Sequence, residues 1–309
     1  MSGGKTLLDY NPKLTQECLQ VLGLLLSGIG HWRASVVLIG GLTPEILVKA
    51  RPPRVPAYVG TGDVDLVVDL GVMADPKAYS TFEEALQRLG FEALGPDGKP
   101  SWRWGFTTDA GTRIRLEFLA DEPQLEGGET RAIPAHGKLA ALNIRHSGIV
   151  LDFSEVETIW VELPGGRGLT RQDIRHADIV GFTALKIFAF RNRGEGKDAH
   201  DLVYCLQHVE HTIAEIAERF VAALQTKHSD VIDHALRELA AAFGDESGAE
   251  GYRKDGPTKA ALFEIEGDEP EIRERRLVRQ REFSGIVNTL LQEISRRRAR
   301  SLVNPAPAC

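Results

Sequence analysis

No stretch of this 309-residue chain stays apolar for more than a few residues in succession. A membrane-spanning helix needs about 20 such residues, so the sequence offers no candidate span. The first residues, Met1-Ser-Gly-Gly-Lys-Thr6, lack the basic-then-apolar layout of a secretory signal. Cysteine is scarce: Cys18, Cys205 and Cys309 are odd in number, scattered, and in no metal-ligand spacing. These absences predict a reduced, cytoplasmic protein. The nine histidines (31, 136, 146, 176, 200, 208, 211, 228 and 234) form no metal signature, since His208 and His211 share a helical spacing but have no third ligand. Serine and cysteine nucleophile motifs are also absent. Low-complexity sequence is not prominent, and the length suits one large domain or two modest ones.

Positive charge is in deficit, with a net charge of −7 that argues against broad nonspecific nucleic-acid binding. Its distribution is uneven. Residues 271–300 hold nine arginines against four glutamates, a local excess of five positive charges that leaves −12 on the remainder. Such a tail could meet RNA phosphates, the acidic surface of its own chain, an acidic partner, or only solvent.

The most informative stretch is Gly60-Thr-Gly-Asp-Val-Asp-Leu-Val-Val-Asp69. Side chains at i and i+2 of a strand share a face, so Asp63 and Asp65 stand together at the mouth of the apolar run 66–68. Paired carboxylates repel unless neutralised, and a hard divalent cation with oxygen ligands, Mg²⁺ above all, would do so. Upstream, Ser35-Val-Val-Leu-Ile-Gly-Gly41 reads as a strand ending in Gly40 and Gly41, followed by Thr43 as a helix N-cap and Pro44 at the first helical position. A glycine pair before a helix exposes backbone N–H groups to a phosphate. Downstream, Arg113-Ile-Arg-Leu-Glu-Phe-Leu119 alternates, with Ile114, Leu116 and Phe118 on one face and Arg113, Arg115 and Glu117 on the other.

A glycine turn, an Asp-x-Asp strand and a third carboxylate on a later strand resemble the nucleotidyltransferase superfamily. Glu117 stands where an Asp is more usual. The long spacing from Gly41 to Asp63, with Thr61 and Gly62 just before the aspartate, is similar to the AbiEii/AbiGii-type toxin branch. So is Lys186-Ile-Phe-Ala-Phe-Arg-Asn-Arg193-Gly-Glu-Gly-Lys197-Asp198-Ala-His-Asp201-Leu202, which matches that branch's pattern of Lys, Arg and basic-Asp-x-x-Asp-Leu. The resemblance spans residues 35–207.

It implies an α+β chain. A nucleotidyltransferase-like mixed sheet with helices would occupy residues 1–165, and a mainly α-helical domain with the basic tail residues 166–309. It implies Mg²⁺ held by Asp63, Asp65 and Glu117, with Lys186 and Asp198 also catalytic. Gly40, Gly41, Thr61, Lys186, Arg193 and Lys197 would bind the nucleoside triphosphate. It further implies transfer of a nucleoside monophosphate to RNA, at the tRNA 3′ end, and a cognate antitoxin as partner. The alternatives are transfer to a small molecule such as an aminoglycoside, transfer to a protein side chain, or a non-catalytic nucleotide-binding regulator. Arg51 and Arg54, in the proline-broken loop 51–56, could reach a triphosphate.

Along the chain the periodicities predict a helix over 12–27 and another over 79–89. Strands are predicted near 91–94, 101–107, 112–119, 149–153 and 157–163. Trp102 and Trp104 flank Arg103 in a half-buried strand pattern, and residues 121–131 read as an exposed connection. A helix is expected from Leu169 to Phe190, with more at 198–209, 211–226 and 229–243. Gly244–Asp268, polar, glycine-containing and acidic, reads as a linker or mobile loop.

Overall fold

A computed structural model describes residues 6–71, 76–96, 99–132 and 139–303; His136 and Cys309 lie outside them. The fold is mixed α+β, as the sequence predicts, and the chain divides into two compact units. One comprises residues 10–46 and 58–178. Its helices are α1 (Pro12–Gly28), the five-residue α2 beginning at Thr43 (Thr43–Leu47) and α3 (Pro76–Leu89). Its strands are β1 (Val36–Ile39), β2 (Asp63–Val68), β3 (Glu92–Ala93), β4 (Arg103–Thr107), β5 (Arg113–Ala120), β6 (Thr130–Ala132), β7 (Ala140–Asn143), β8 (Ser154–Glu162) and β9 (Leu169–Ala177).

These strands form one sheet in the order β3-β4-β5-β2-β1-β9-β8, with β7 joining β5 and β6 joining β7. Strands β2 and β5 run parallel, as do β1 and β9, whereas β1–β2, β4–β5 and β8–β9 are antiparallel. Helix α1 starts where Asn11 Oδ1 accepts the Lys13 N–H at 3.0 Å and Pro12 fills the first turn. It buries Cys18, Val21, Leu22 and Leu25 in a core shared with Leu38, Leu66, Leu116 and Phe118. Trp104 is also core, its indole N–H donating to the Ser101 carbonyl at 3.2 Å. Trp102 lies instead beneath Arg103, whose guanidinium is 3.9 Å from the ring centre.

The other unit comprises residues 6–9, 47–57 and the chain from Ile179 onward. Its helices are α4 (Ile179–Arg193), α5 (Gly196–His208), α6 (Ile213–Ala223), α7 (Ser229–Phe243), α8 (Asp255–Glu264) and the long α9 (Pro270–Val303). A capping box opens α6, with the Glu215 N–H donating to Thr212 Oγ1 while the Thr212 N–H donates to the Glu215 carboxylate. Among the described residues no helix is long and apolar enough to cross a membrane.

Four expectations from the sequence give way. Residues 169–177 are strand, not helix: Gln172, Ile174 and His176 are buried while Leu169, Arg171 and Asp173 are exposed, a period of two that the apolar residues further on obscure. Residues 147–151 form a 3-10 turn rather than a strand. The proposed linker 244–268 contains α8, whose Ala260, Ala261 and Phe263 are buried. Gly251 and Gly256 let this segment approach Phe243, since a Cβ on either would overlap that residue. Thr43 is no N-cap. It is already helical at φ −58° and ψ −41°, because a 3-10 turn over Gly40–Leu42 runs directly into α2, and its buried hydroxyl lacks a hydrogen bond.

Candidate active site

The register of three strands assembles the carboxylates. On β2, Asp63 and Asp65 are half-buried and alternate with the buried Val64 and Leu66. Asp65 pairs with Ile39 of β1 on one side and Glu117 of β5 on the other, while Asp63 pairs with Arg115. Registered partners in neighbouring strands share a face, so Asp63, Asp65, Arg115 and Glu117 stand together. Ile39 leads straight into Gly40, whose φ of +74° suits glycine. A Cβ on Gly40 would overlap Asp65 Oδ2, so the missing side chain is what admits that carboxylate. Gly41 follows, its carbonyl accepting the Tyr58 hydroxyl at 2.7 Å.

The start of β2 is tied to α1. Thr61 N–H donates to Thr15 Oγ1 at 3.0 Å, and the Asp63 N–H donates to Thr61 Oγ1 at 3.4 Å, so the buried Thr61 aligns the strand that carries the aspartates. Gly60, at φ +92°, lets the chain pass close to Thr15. Behind the strand, Cys18 Sγ approaches the Thr61 carbonyl at 3.7 Å. Burial, reinforced by the charges of Asp63 and Asp65, raises the Cys18 pKa and keeps the thiol protonated.

Two arginines complete this face, and the sequence reading did not assign them roles. Arg115 grips Asp63 with both arms, Nε to Oδ1 at 2.7 Å and Nη2 to Oδ2 at 2.9 Å. The Asp63 carboxylate in turn raises the Arg115 pKa. Arg103 Nε donates to Glu117 Oε1 at 2.9 Å. The signal for Arg115 was present in its two-residue spacing from Glu117, which sets both on one strand face. Arg103 becomes visible only through the β4–β5 register, where it lies opposite Glu117.

Three carboxylates on one face have the donor chemistry of a hard divalent cation. Asp63 and Glu117, however, are engaged by Arg115 and Arg103, and among the described residues no group of three or more His, Cys, Asp or Glu side chains converges as a metal cage. The residues fit such an ion in kind, while in the arrangement they hold Arg115 takes both Asp63 oxygens.

The second set of residues that the sequence singles out meets in the helical unit. Lys186 of α4 donates from Nζ to Asp198 Oδ1 at 3.1 Å and to Asp201 Oδ2 at 2.7 Å. Lys197 reaches the same Asp201 oxygen at 2.7 Å, and Arg193 Nη2 reaches Asp198 Oδ2 at 2.7 Å. Burial favours neutral Lys186, but Asp201 and Asp198 outweigh it and raise its pKa. Burial likewise opposes the Asp201 carboxylate, yet Lys186 and Lys197 prevail and lower its pKa. For Lys197 burial wins over Asp201, and the pKa is lowered. Asp201, fully buried at the junction of both lysines, is the member whose weight the sequence reading missed.

Several arginines of the tail pair with carboxylates of their own helix or of its neighbours. Arg279 pairs with Glu264 and Glu282, Arg296 and Arg297 with Glu293, and Arg298 with Asp233. Of the roles open to the tail, pairing with the chain's own acidic residues is therefore observed for these arginines.

No protein-family model and no curated protein sequence matches this chain. Among solved structures, the chain is similar to the Bradyrhizobium diazoefficiens CD-NTase CdnG in complex with GTP, at 11% sequence identity over 93% of this chain and 88% of that one. The TM-score is 0.24, too low for the likeness to carry an argument.

Proposed function

We propose that this protein is a Mg²⁺-dependent nucleotidyltransferase that moves a nucleoside monophosphate from a nucleoside triphosphate onto an acceptor hydroxyl. The observation that carries the reading is the registered pair Asp65–Glu117 beside the side-chain-free Gly40. Asp63, Asp65 and Glu117 would hold the metal. When bound, Mg²⁺ supplies Lewis-acid polarisation of the phosphoryl oxygens.

The chain's own residues account for the remaining requirements. Gly40 seats Asp65 against the turn, and Gly41 beside it would leave backbone approachable by phosphate. Arg115 and Arg103, once released from their carboxylates, become forked donors for phosphate oxygens at the same face. Acting as base rather than as metal ligand, Glu117 would take the proton from the acceptor hydroxyl as that oxygen bonds the α-phosphorus and pyrophosphate leaves. Arg193 of the buried cluster is its most exposed cation, with the side chain 57% accessible, and is the member suited to an RNA or triphosphate phosphate.

The resemblance of Lys186–Asp201 to the AbiEii-type motif supports a finer reading: a toxin that acts on the tRNA 3′ end and is neutralised by a cognate antitoxin. A non-catalytic nucleotide-binding regulator is the second reading, favoured by the Arg115 fork that takes both Asp63 oxygens.

Incubating the protein with each labelled triphosphate and total tRNA separates these readings. Mg²⁺-dependent pyrophosphate release with label on tRNA is the expected result. Release that requires a small hydroxyl compound instead would assign a different acceptor. Triphosphate binding without turnover would establish the regulator. Glu117→Gln is expected to lower kcat by at least about a hundredfold with little change in triphosphate affinity, as for a group that acts in the transition state. An unchanged kcat would remove Glu117 from the site.

A further inference from the structure

Strand β8 ends the sheet, and among the described residues β9 is the strand that pairs with it. Its other backbone edge carries a row of N–H and C=O groups directed away from the sheet. Natural edges are usually blunted by brevity, proline, charged side chains (lysine above all) or a bulge. This one spans nine residues without proline or lysine, and its register against β9 runs unbroken from Ser154↔Ala177 to Glu162↔Leu169. On its outer face Val156 is 63% and Trp160 68% exposed, and Leu169 of the adjoining strand 65%. These are three of the most exposed large apolar side chains described, gathered on one hairpin face.

We infer that this edge is a dimerisation surface on which a second copy of the chain adds its own β8 antiparallel, making the sheet continuous across a two-fold axis at Thr158. The sequence of β8 is what selects a second copy. An isologous contact must be self-complementary. With the axis at Thr158, Val156 lies opposite the partner's Trp160, and Trp160 opposite the partner's Val156, so both exposed apolar residues are covered twice. Aromatic with β-branched side chains make favourable cross-strand pairs. Each glutamate then faces an uncharged residue directly: Glu155 the partner's Val161, Glu157 the partner's Ile159, and Glu162 the partner's Ser154. The Ser154 hydroxyl accepts a hydrogen bond from Arg175 Nε at 2.9 Å, so Glu162 would come beside a guanidinium.

Neighbouring registers lose this match. An axis at Glu157 sets that carboxylate against its own copy, which destabilises the pair. An axis at Ile159 sets Trp160 against Thr158 and Glu162 against Val156, leaving no apolar pair on the outer face. A basic extended peptide from another protein would not explain the Val156–Trp160 symmetry.

The full chain should sediment as a monomer–dimer equilibrium at micromolar concentrations. Trp160→Lys lies on an exposed face and should fold normally. It should weaken dimerisation by more than about tenfold, as expected when an interface tryptophan is lost. The double variant Val156→Glu/Trp160→Lys sets a carboxylate opposite an ammonium at both cross-strand positions and should recover dimerisation. Under mild oxidation Thr158→Cys should crosslink two chains, because residues on the axis fall within disulfide reach. Val156→Cys and the native chain should not crosslink. A chain that stays monomeric at every concentration overturns the inference, including one whose edge instead takes a strand from another protein. So does a dimer indifferent to Trp160→Lys, or a crosslink at residue 156 in place of 158.

Discussion

Asp65→Asn is expected to lower nucleotidyl transfer by about a hundredfold to a thousandfold, the range for loss of one preorganised charge contact, while the fold stays intact. Asparagine keeps the shape that fits against Gly40 and removes one of three carboxylates crowded on the face. Transfer should therefore fall without a matching fall in Tm. Native protein should gain thermal stability from Mg²⁺ with a triphosphate by mass action, and Asp65→Asn should not. Asp63→Asn tests the same site less cleanly, since it also breaks the Arg115 fork. That exchange is half-exposed and should cost no more than about 1 kcal/mol. Gly40→Ala approaches Asp65 from the other side. Its Cβ would overlap Asp65 Oδ2, and the positive φ adds about 1–2 kcal/mol of backbone strain. Loss of activity in both Asp65→Asn and Gly40→Ala, through charge in one and position in the other, would locate the chemistry at this carboxylate. Full activity in Asp65→Asn would remove it.

What made this face legible was local. Two-residue spacing put Asp63 with Asp65 and Arg115 with Glu117 before any tertiary information was available. The parallel register that sets Asp65 beside Glu117 is non-local and had to be observed. The same division explains the misread segments. In 169–177 the buried residues alternate, but Ile174, Ala177 and Val180 also suit a helical stripe, and only pairing with β1 and β8 decides for strand. Helix α8 was hidden because its segment is polar, acidic and glycine-containing, with Gly256 and Pro257 in the first turn. Their small size and fixed φ instead fit a first turn packed against the Phe243 ring. In the tail, charge count revealed an excess of arginine but not which carboxylates would meet it. Glu264 and Asp233, which receive Arg279 and Arg298, lie far away in sequence.

Asp201→Asn is expected to destabilise the helical unit by about 3–5 kcal/mol at neutral pH, the cost of removing one partner from a buried ion pair. Asp201 is fully buried and receives both Lys186 and Lys197 on one oxygen. Without it Lys186 retains Asp198, which is already shared with Arg193, and Lys197 loses the attraction that partly offset its burial. The pH dependence gives the prediction its sign. The Asp201 pKa is lowered in the folded chain, so its contribution is present above the ordinary carboxylate value and is lost as pH falls below it. In acid, native protein should therefore fall toward the variant. On the alkaline side the variant holds lysines whose burial favours the neutral form, and its stability should climb as pH rises toward the ordinary lysine range. Native Lys186, with its pKa raised, keeps its contribution below that range. The stability difference, read from denaturant midpoints across pH, should be greatest near neutrality and narrow at both ends. Asp201→Asn/Lys186→Met, which removes one charge of each sign, should cost less than Asp201→Asn alone. A difference that stays constant from acid to alkali would mean that Asp201 acts through packing, and that the charges around it are incidental to the fold.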